Sequence, residues 1–347
     1  PKTPEFDLID YPSIVYMPEK DKVLLVVNRE TRDGVVMSSS DHGKTWSDPK
    51  YLHTDDQGSP DGGGLPLTYL GDGNLILGEW FSHDYGETWV DRRAMPPAST
   101  GGPFYLWDPH LVDRDPETGK VTRLVASGYT RTGGWPDDRS GVRFSDDRGL
   151  TWSDEIAPPS WNGPPSGIGT RETSEKGLCR ASNGNIIAAC RAGDRKYTGV
   201  DHYGGLGVSL SKDDGRTWTE LNVLFDYGRH HASMVLMPNG DIVMTYVVRL
   251  GWLAKEHGLR DEDGFPQWGI EAIVSGDNGE TWDLPHRYVL AQWSGQSHAQ
   301  RTSTVLLPDG SLLTAFGAGY RIRRMKDPDP WLGPQDVGLV RWRLGPD

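Results

Sequence analysis

The segment Ser39-Ser40-Asp41-His42-Gly43-Lys44-Thr45-Trp46 decides the fold, because its pattern Ser-x-Asp-x-Gly-x-Thr-Trp recurs along the chain. Further copies begin at Ser82, Ser145, Ser211 and Ser275. In each copy the aspartate can accept hydrogen bonds from backbone amides of a tight turn, and the glycine tolerates positive φ. The threonine suits a returning strand, and the tryptophan covers the turn. We interpret these segments, called Asp-box turns below, as hairpin turns that stabilise the fold and carry no catalysis.

A second hairpin signal occurs between the Asp-box turns. Two apolar runs flank a glycine turn at Asp72-Gly73, Asn183-Gly184, Asn239-Gly240 and Asp309-Gly310. Asn-Gly or Asp-Gly between apolar runs is a strong hairpin signal. Each repeat therefore predicts four strands, which is one blade of a β-propeller.

The number of repeats predicts an all-β fold, a six-bladed β-propeller that forms one domain over residues 1–347. The predicted blades span residues 11–57, 58–106, 107–165, 166–228, 229–295 and 296–347. The sixth blade has no Asp-box turn, and DVGLVRWRL (336–344) is its predicted third strand. The N-terminal segment PEFDLID (4–10) is its predicted outer strand, which would close the ring and remove exposed sheet edges.

Composition narrows the class of protein. The 44 glycines and 25 prolines suit many short strands joined by turns. A net charge of −13 argues against a nucleic-acid partner, and no apolar run reaches the 18 residues that a membrane span needs. Cys179 and Cys190 would be diagonal neighbours across a hairpin, so we expect two free buried thiols. The chain begins with Pro1, which suggests a trimmed N-terminus and leaves secretion, the periplasm and the cytoplasm all open.

Asp-box turns in a six-bladed pattern resemble the sialidase superfamily over essentially the whole chain. The resemblance implies a ligand pocket at the central axis, where the first strands of the blades begin. Four residues match family positions. Arg29 ends the second strand of blade 1, and Asp33 follows it at the position of the acid/base. In blade 4, Glu175 begins the first strand and Arg191 ends the second.

Three positions differ from the family pattern. Ile9-Asp10-Tyr11-Pro12-Ser13, aligned on its proline, places Asp10 where the family has an arginine that binds the sialic acid carboxylate. Nine residues before the turn glycine, where blade 6 of the family has its tyrosine nucleophile, this chain has Arg301. The equivalent residue of blade 5 is His231, and Arg229 is the nearest candidate for the third family arginine. The scaffold therefore resembles a sialidase, whereas the predicted active site does not.

The predicted site gathers charged residues at the mouth of the axis. The predicted catalytic residues are Asp33, Glu175, His231 and His298. The predicted substrate-binding residues are Asp10, Arg29, Asp61, Asp108, His110, Glu172, Arg191, His230 and Arg301.

These residues favour an exo-acting glycoside hydrolase on a terminal sugar that is anionic or rich in hydroxyl groups. Asp33 and Glu175 would serve as acid and base, and their separation would decide between inversion and retention. The long segments 192–205 and 247–269 are predicted to wall the pocket and to exclude extended chains. The predicted partner is an oligosaccharide or glycan substrate.

Two other functions stay open. In a polysaccharide lyase, His231 or His298 would abstract a proton from a uronic acid while Arg301 or Arg191 neutralises its carboxylate. In a propeller that only binds carbohydrate, tryptophans would stack on sugar rings, with Trp107, Trp135, Trp252, Trp268 and Trp293 as candidates. The histidines and aspartates lack close ligand spacing, so neither a metal nor a cofactor is predicted.

Overall fold

A computed structural model describes residues 9–29, 34–52, 66–130, 139–162, 173–192, 204–250, 268–292, 298–320 and 336–345. The described strands form six antiparallel sheets that follow one another along the chain. This arrangement confirms the predicted all-β, six-bladed propeller. Within these ranges no helix is long and apolar enough to cross a membrane.

The first three blades contain twelve strands. Blade 1 consists of β1 (Ile9–Met17), β2 (Lys22–Arg29), β3 (Gly34–Ser39) and β4 (Lys50–Tyr51). Blade 2 consists of β5 (Leu67–Gly71), β6 (Asn74–Leu77), β7 (Trp80–Ser82) and β8 (Asp91–Arg92). Blade 3 consists of β9 (Tyr105–Leu106), β10 (Leu111–Arg114), β11 (Val121–Tyr129) and β12 (Ser140–Ser145).

The last three blades contain the remaining described strands. Blade 4 consists of β13 (Thr173–Arg180), β14 (Ile186–Ala192), β15 (Gly205–Ser211) and β16 (Asn222–Phe225). Blade 5 consists of β17 (Arg229–Leu236), β18 (Ile242–Arg249), β19 (Trp268–Ser275) and β20 (Tyr288–Gln292). Blade 6 consists of β21 (His298–Leu306), β22 (Leu312–Tyr320) and β23 (Asp336–Trp342).

Blades 3 and 6 depart from the predicted strand pattern. In blade 3, β9 lies within the segment predicted for blade 2, yet it pairs with the end of β11. A single bridge between Val142 and Ile156 stands where a fourth strand was predicted. In blade 6, β23 confirms the predicted third strand. The predicted outer strand is wrong at Ile9 and Asp10, because both begin the first strand of blade 1, and residues 1–8 lie outside the described ranges.

Each blade buries both of its faces against its neighbours, as the alternation of side chains along a strand requires. In β2, Leu24 and Val26 pack in a cluster with blade 2. Val23 and Leu25 point to the other face and pack in a cluster with Leu313 of blade 6. The contact between blades 1 and 6 closes the ring.

Hydroxyl groups join the first strands of neighbouring blades around the axis. At four interfaces, a serine or threonine accepts a hydrogen bond from a backbone N–H of the next blade, at distances of 2.9–3.1 Å. The four acceptors are Ser13, Thr68, Ser233 and Ser303. Blades 4 and 5 meet instead at Gly177, where an added Cβ would lie 2.7 Å from the carbonyl oxygen of Ala232.

The five Asp-box turns share one hydrogen-bond pattern. In the first turn, the backbone N–H and the hydroxyl of Thr45 donate to the two carboxylate oxygens of Asp41, and the N–H of Gly43 donates to Ser39. Gly43 has φ 88°, and an added Cβ would approach Leu313 of blade 6 to 2.9 Å. These contacts are structural, and they support the interpretation of the motif as a stabilising turn.

The two cysteines are free and buried, as predicted. Burial raises the pKa of each thiol to about 12. Both are therefore neutral at physiological pH, which suits packing and not nucleophilic chemistry.

Candidate functional site

The first strands of four blades carry a β-bulge near their beginning, at the same place in each blade. The bulged residues have positive φ: Tyr11 (49°), Glu175 (24°), His231 (54°) and Arg301 (42°). The pairing register shifts at each of these points. Non-glycine residues in this conformation are strained, and bulges of this kind redirect side chains near functional sites. We call these four residues the bulge ring.

Three members of the bulge ring contact one tryptophan. Trp107 extends from the segment between β9 and β10 of blade 3. Its ring lies 5.7 Å from the ring of Tyr11 and 5.5 Å from that of His231, measured between centroids. The guanidinium carbon of Arg301 lies 5.9 Å from the Trp107 centroid. Side chains from blades 1, 3, 5 and 6 therefore meet at one end of the axis.

The fourth member, Glu175, is held by charged neighbours. Its Oε2 accepts a hydrogen bond from Nη1 of Arg191 at 2.8 Å, and Nδ1 of His231 lies 3.4 Å from the same oxygen. Glu175 is 3% exposed. The contact with Arg191 is a charge-assisted hydrogen bond that holds the carboxylate in place, as a base or a nucleophile requires.

Asp108 and His110 line a cavity of about 460 Å³ along the axis. Burial raises the pKa of Asp108 to about 7, although the positive charges of Arg301 and Lys176 act in the opposite direction. Burial lowers the pKa of His110 to about 4, so this histidine is neutral. The cavity is therefore lined by a carboxyl group that can hold a proton near neutral pH.

Lys176 is a charged residue that sequence reasoning missed. It follows Glu175 in β13, is 1% exposed, and lies with Nζ 5.2 Å from the centroid of Trp161. Within the described residues no acceptor bonds to Nζ. Burial lowers the pKa of Lys176 to about 8, against the influence of Cys190, Asp108 and Glu175.

A second buried ionic cluster lies inside blade 5. Nε of Arg229 donates to Oε2 of Glu271 at 3.1 Å, and the hydroxyl of Tyr246 donates to the same oxygen at 3.0 Å. Arg229 also stacks 4.6 Å from the centroid of Phe225. The nearest candidate for the third family arginine is thus bound to a carboxylate of its own blade.

The structure brings together six of the predicted site residues and leaves the others untested. These six are Asp108, His110, Glu175, Arg191, His231 and Arg301, and all lie near the axis. His230 is fully buried, with Nδ1 3.0 Å from the carbonyl oxygen of Gly204, and its contact with substrate stays a prediction. Asp33, Asp61 and Glu172 lie outside the described residues, as do the side chains of Asp10, Arg29 and His298.

Two aromatic residues, Tyr11 and Trp107, also lie at the axis. Tyr11, not Asp10, occupies the bulge of blade 1, and the nine-residue spacing misses it because Tyr11 lies ten residues before Asp21, the left-handed residue of that turn. Of the predicted sugar-stacking tryptophans, Trp107 is at the axis and Trp268 is 5% exposed in β19. The other three, and most of the loops predicted to wall the pocket, lie outside the described residues.

Among the described residues, no group of three or more histidine, cysteine, aspartate or glutamate side chains could hold a metal ion.

Comparisons with known proteins find relatives by sequence and by fold. No model of a known protein family matches the chain. A sialidase of Paraclostridium sordellii is 27% identical over 224 residues, which cover 60% of this chain and 50% of that protein. The matched region thus spans about half the length of this curated relative.

Solved structures show the same fold. A protein of unknown function from Dyadobacter fermentans superposes with a TM-score of 0.69 at 16% identity, over 99% of this chain and 96% of that one. The NanB sialidase from Streptococcus pneumoniae superposes with a TM-score of 0.59 at 13% identity, over 98% of this chain and 69% of that one. The chain is therefore similar in sequence to sialidases over part of its length, and it shares their six-bladed β-propeller fold.

Proposed function

We propose that this protein is an exo-acting glycoside hydrolase that removes a terminal sugar, one that is anionic or rich in hydroxyl groups. The observation that carries the proposal is the bulge ring. In four blades a strained backbone position carries a functional side chain, and Asp108 of a fifth blade lies close enough to Glu175 and Arg301 for their charges to act on it. Strain of this kind is kept where function requires it.

The chemistry follows from the carboxyl groups. Glycosidases use one carboxyl group to protonate the leaving oxygen and another as base or nucleophile. Glu175, paired with Arg191, suits the second role because a charge-assisted hydrogen bond holds its carboxylate in place. The sequence predicts Asp33 for the first role.

The balance of buried charge supports an anionic substrate. Among the described residues near the axis, Lys176, Arg191 and Arg301 are cationic, and Asp108 and Glu175 are acidic. Since Asp108 holds its proton through part of the neutral range, these five described groups together carry excess positive charge there. A carboxylate on the sugar would compensate that charge.

A polysaccharide lyase is the second candidate, because one contact favours it. Nδ1 of His231 lies 3.4 Å from Glu175, a carboxylate that can orient the imidazole as a base. Arg301, which also contacts Trp107, would neutralise the carboxylate of a uronic acid. A propeller that only binds carbohydrate would use the same pocket without turnover.

A panel of oligosaccharides and aryl glycosides, with neutral and anionic terminal sugars, distinguishes these functions. The hydrolase releases a reducing sugar without new ultraviolet absorbance. A lyase product absorbs at roughly 230 nm, because elimination leaves the sugar with a new conjugated C=C bond. Binding without any product would leave a lectin-like propeller and contradict the proposal.

A further inference from the structure

Asp108 lies where a proton donor to a bound sugar would need to be. It precedes β10 in blade 3, follows Trp107 directly, and is 4% exposed on the wall of the axial cavity. Trp107 in turn contacts Tyr11, His231 and Arg301 of the bulge ring. The carboxyl group is thus shielded from bulk water, and it lies close enough to Glu175 and Arg301 of the bulge ring for their charges to act on it.

The surroundings of Asp108 differ from those of Glu175. Glu175 accepts a hydrogen bond from Arg191, whereas no described residue donates one to Asp108. The charged groups that act on Asp108 are Arg301 and Lys176, which favour its anion, and Glu175, which disfavours it. Burial outweighs the two cations and raises the pKa of Asp108 to about 7. One carboxyl group therefore holds a proton near neutral pH while its neighbour is paired with an arginine, and such different surroundings suit the two roles that glycoside hydrolysis requires.

We propose that Asp108, and not Asp33, is the general acid of the hydrolysis, with Glu175 as the general base. This inference rests on the proposed function. The Asp108 proton passes to the glycosidic oxygen as the bond between that oxygen and the anomeric carbon breaks. A water molecule forms the new bond to the anomeric carbon and gives its proton to Glu175. Glu175 then releases its proton to solvent and Asp108 takes one up from solvent, so the cycle consumes only water and glycoside.

The first measurement needs no substrate. In protein labelled with ¹³C at aspartate carboxyl groups, the resonance that Asp108→Asn removes should titrate near pH 7. Asp146→Asn, a change at an exposed aspartate of the same blade, is the matched control and should leave the Asp108 resonance in place. Titration of the Asp108 resonance near pH 4 would overturn the inference.

The second measurement compares leaving groups. For the sugar that the wild-type protein cleaves, the methyl glycoside needs protonation of its leaving group, whereas the 2,4-dinitrophenyl glycoside does not. Asp108→Asn should lower kcat/KM for the methyl glycoside by roughly 10²–10⁴-fold, the usual contribution of a positioned acid, and by less than about 10-fold for the dinitrophenyl glycoside. Asp146→Asn should leave both values unchanged.

The possible failures are distinguishable. Equal losses on both glycosides, or a leaving-group dependence that Asp33→Asn shows and Asp108→Asn lacks, would overturn the role of Asp108 and leave the hydrolase intact. No turnover of any glycoside by the wild-type protein would overturn the hydrolase and this inference together.

Discussion

Replacing the buried Lys176 by methionine should stabilise the protein. The ammonium group is 1% exposed, and no described residue accepts a hydrogen bond from it. Its pKa falls from 10.5 to about 8 on folding. Because the folded-state pKa is the lower one, the unfolded chain binds more protons between about pH 8 and 10.5, and wild-type stability rises with pH through that window. The lysine therefore costs stability below pH 8.

The size of this cost follows from the shift. At about 1.4 kcal/mol for each pKa unit, burial of the charged lysine costs on the order of 3 kcal/mol at pH 7 and roughly 1.5 kcal/mol at pH 9.5. Methionine has a similar volume and no charge, so Lys176→Met should recover much of the cost at pH 7. Lys120→Met, a change at an exposed lysine of blade 3, is the matched control and should alter stability by less than about 0.5 kcal/mol.

Urea denaturation at pH 7 and pH 9.5 measures the effect. The denaturation midpoint of Lys176→Met should exceed that of the wild-type protein at pH 7, with an unchanged slope, and the gain should roughly halve at pH 9.5. A variant that is less stable than wild type at pH 7 would refute the reasoning. So would a gain that is equal at both pH values, since it would come from packing and not from the charge.

Three further outcomes are expected. Glu175→Gln should lower kcat by roughly 10²–10⁴-fold in a steady-state assay with little change in melting temperature, because the amide oxygen still accepts the hydrogen bond from Arg191. The aryl glycoside of sialic acid should not be cleaved at enzyme-typical rates, because Arg301 stands where sialidases have their tyrosine nucleophile; robust release of the phenol would contradict this. Asp84→Ala should destabilise the protein by roughly 1–3 kcal/mol in thermal unfolding, because it removes three hydrogen bonds from an Asp-box turn. It should leave kcat unchanged, because this turn is not part of the candidate site.

The blades were predictable because their signals are local. A turn such as Asn239-Gly240 requires positive φ within two or three residues, and Gly240 has φ 95°. The Asp-box turns likewise close on themselves through contacts four residues apart, as between Gly43 and Ser39. The two-residue strand β9 was assigned to the wrong blade, because its pairing with Tyr129 depends on contacts distant in sequence.

The site was predictable only in part, for reasons of backbone and burial. The count of nine residues before a turn glycine found Arg301 and His231, but the turn of blade 1 is a 3-10 helix, Pro18–Lys20, followed by Asp21 at φ 45°. Tyr11 was missed for that reason. Lys176 was missed because lysine is almost never fully buried, and nothing in the neighbouring sequence indicates that this lysine is buried.

The bulge ring gives this fold four positions at which one functional side chain can be exchanged for another. In each of four blades the same backbone distortion carries one side chain. The four side chains are a phenol, a carboxylate, an imidazole and a guanidinium. The distortion belongs to the strand and its pairing, so a change of a single codon can exchange the chemical group and leave the surrounding sheet in place. A propeller of this kind can acquire a new reaction by substitutions at the bulge positions, while the sheets that hold these positions stay unchanged.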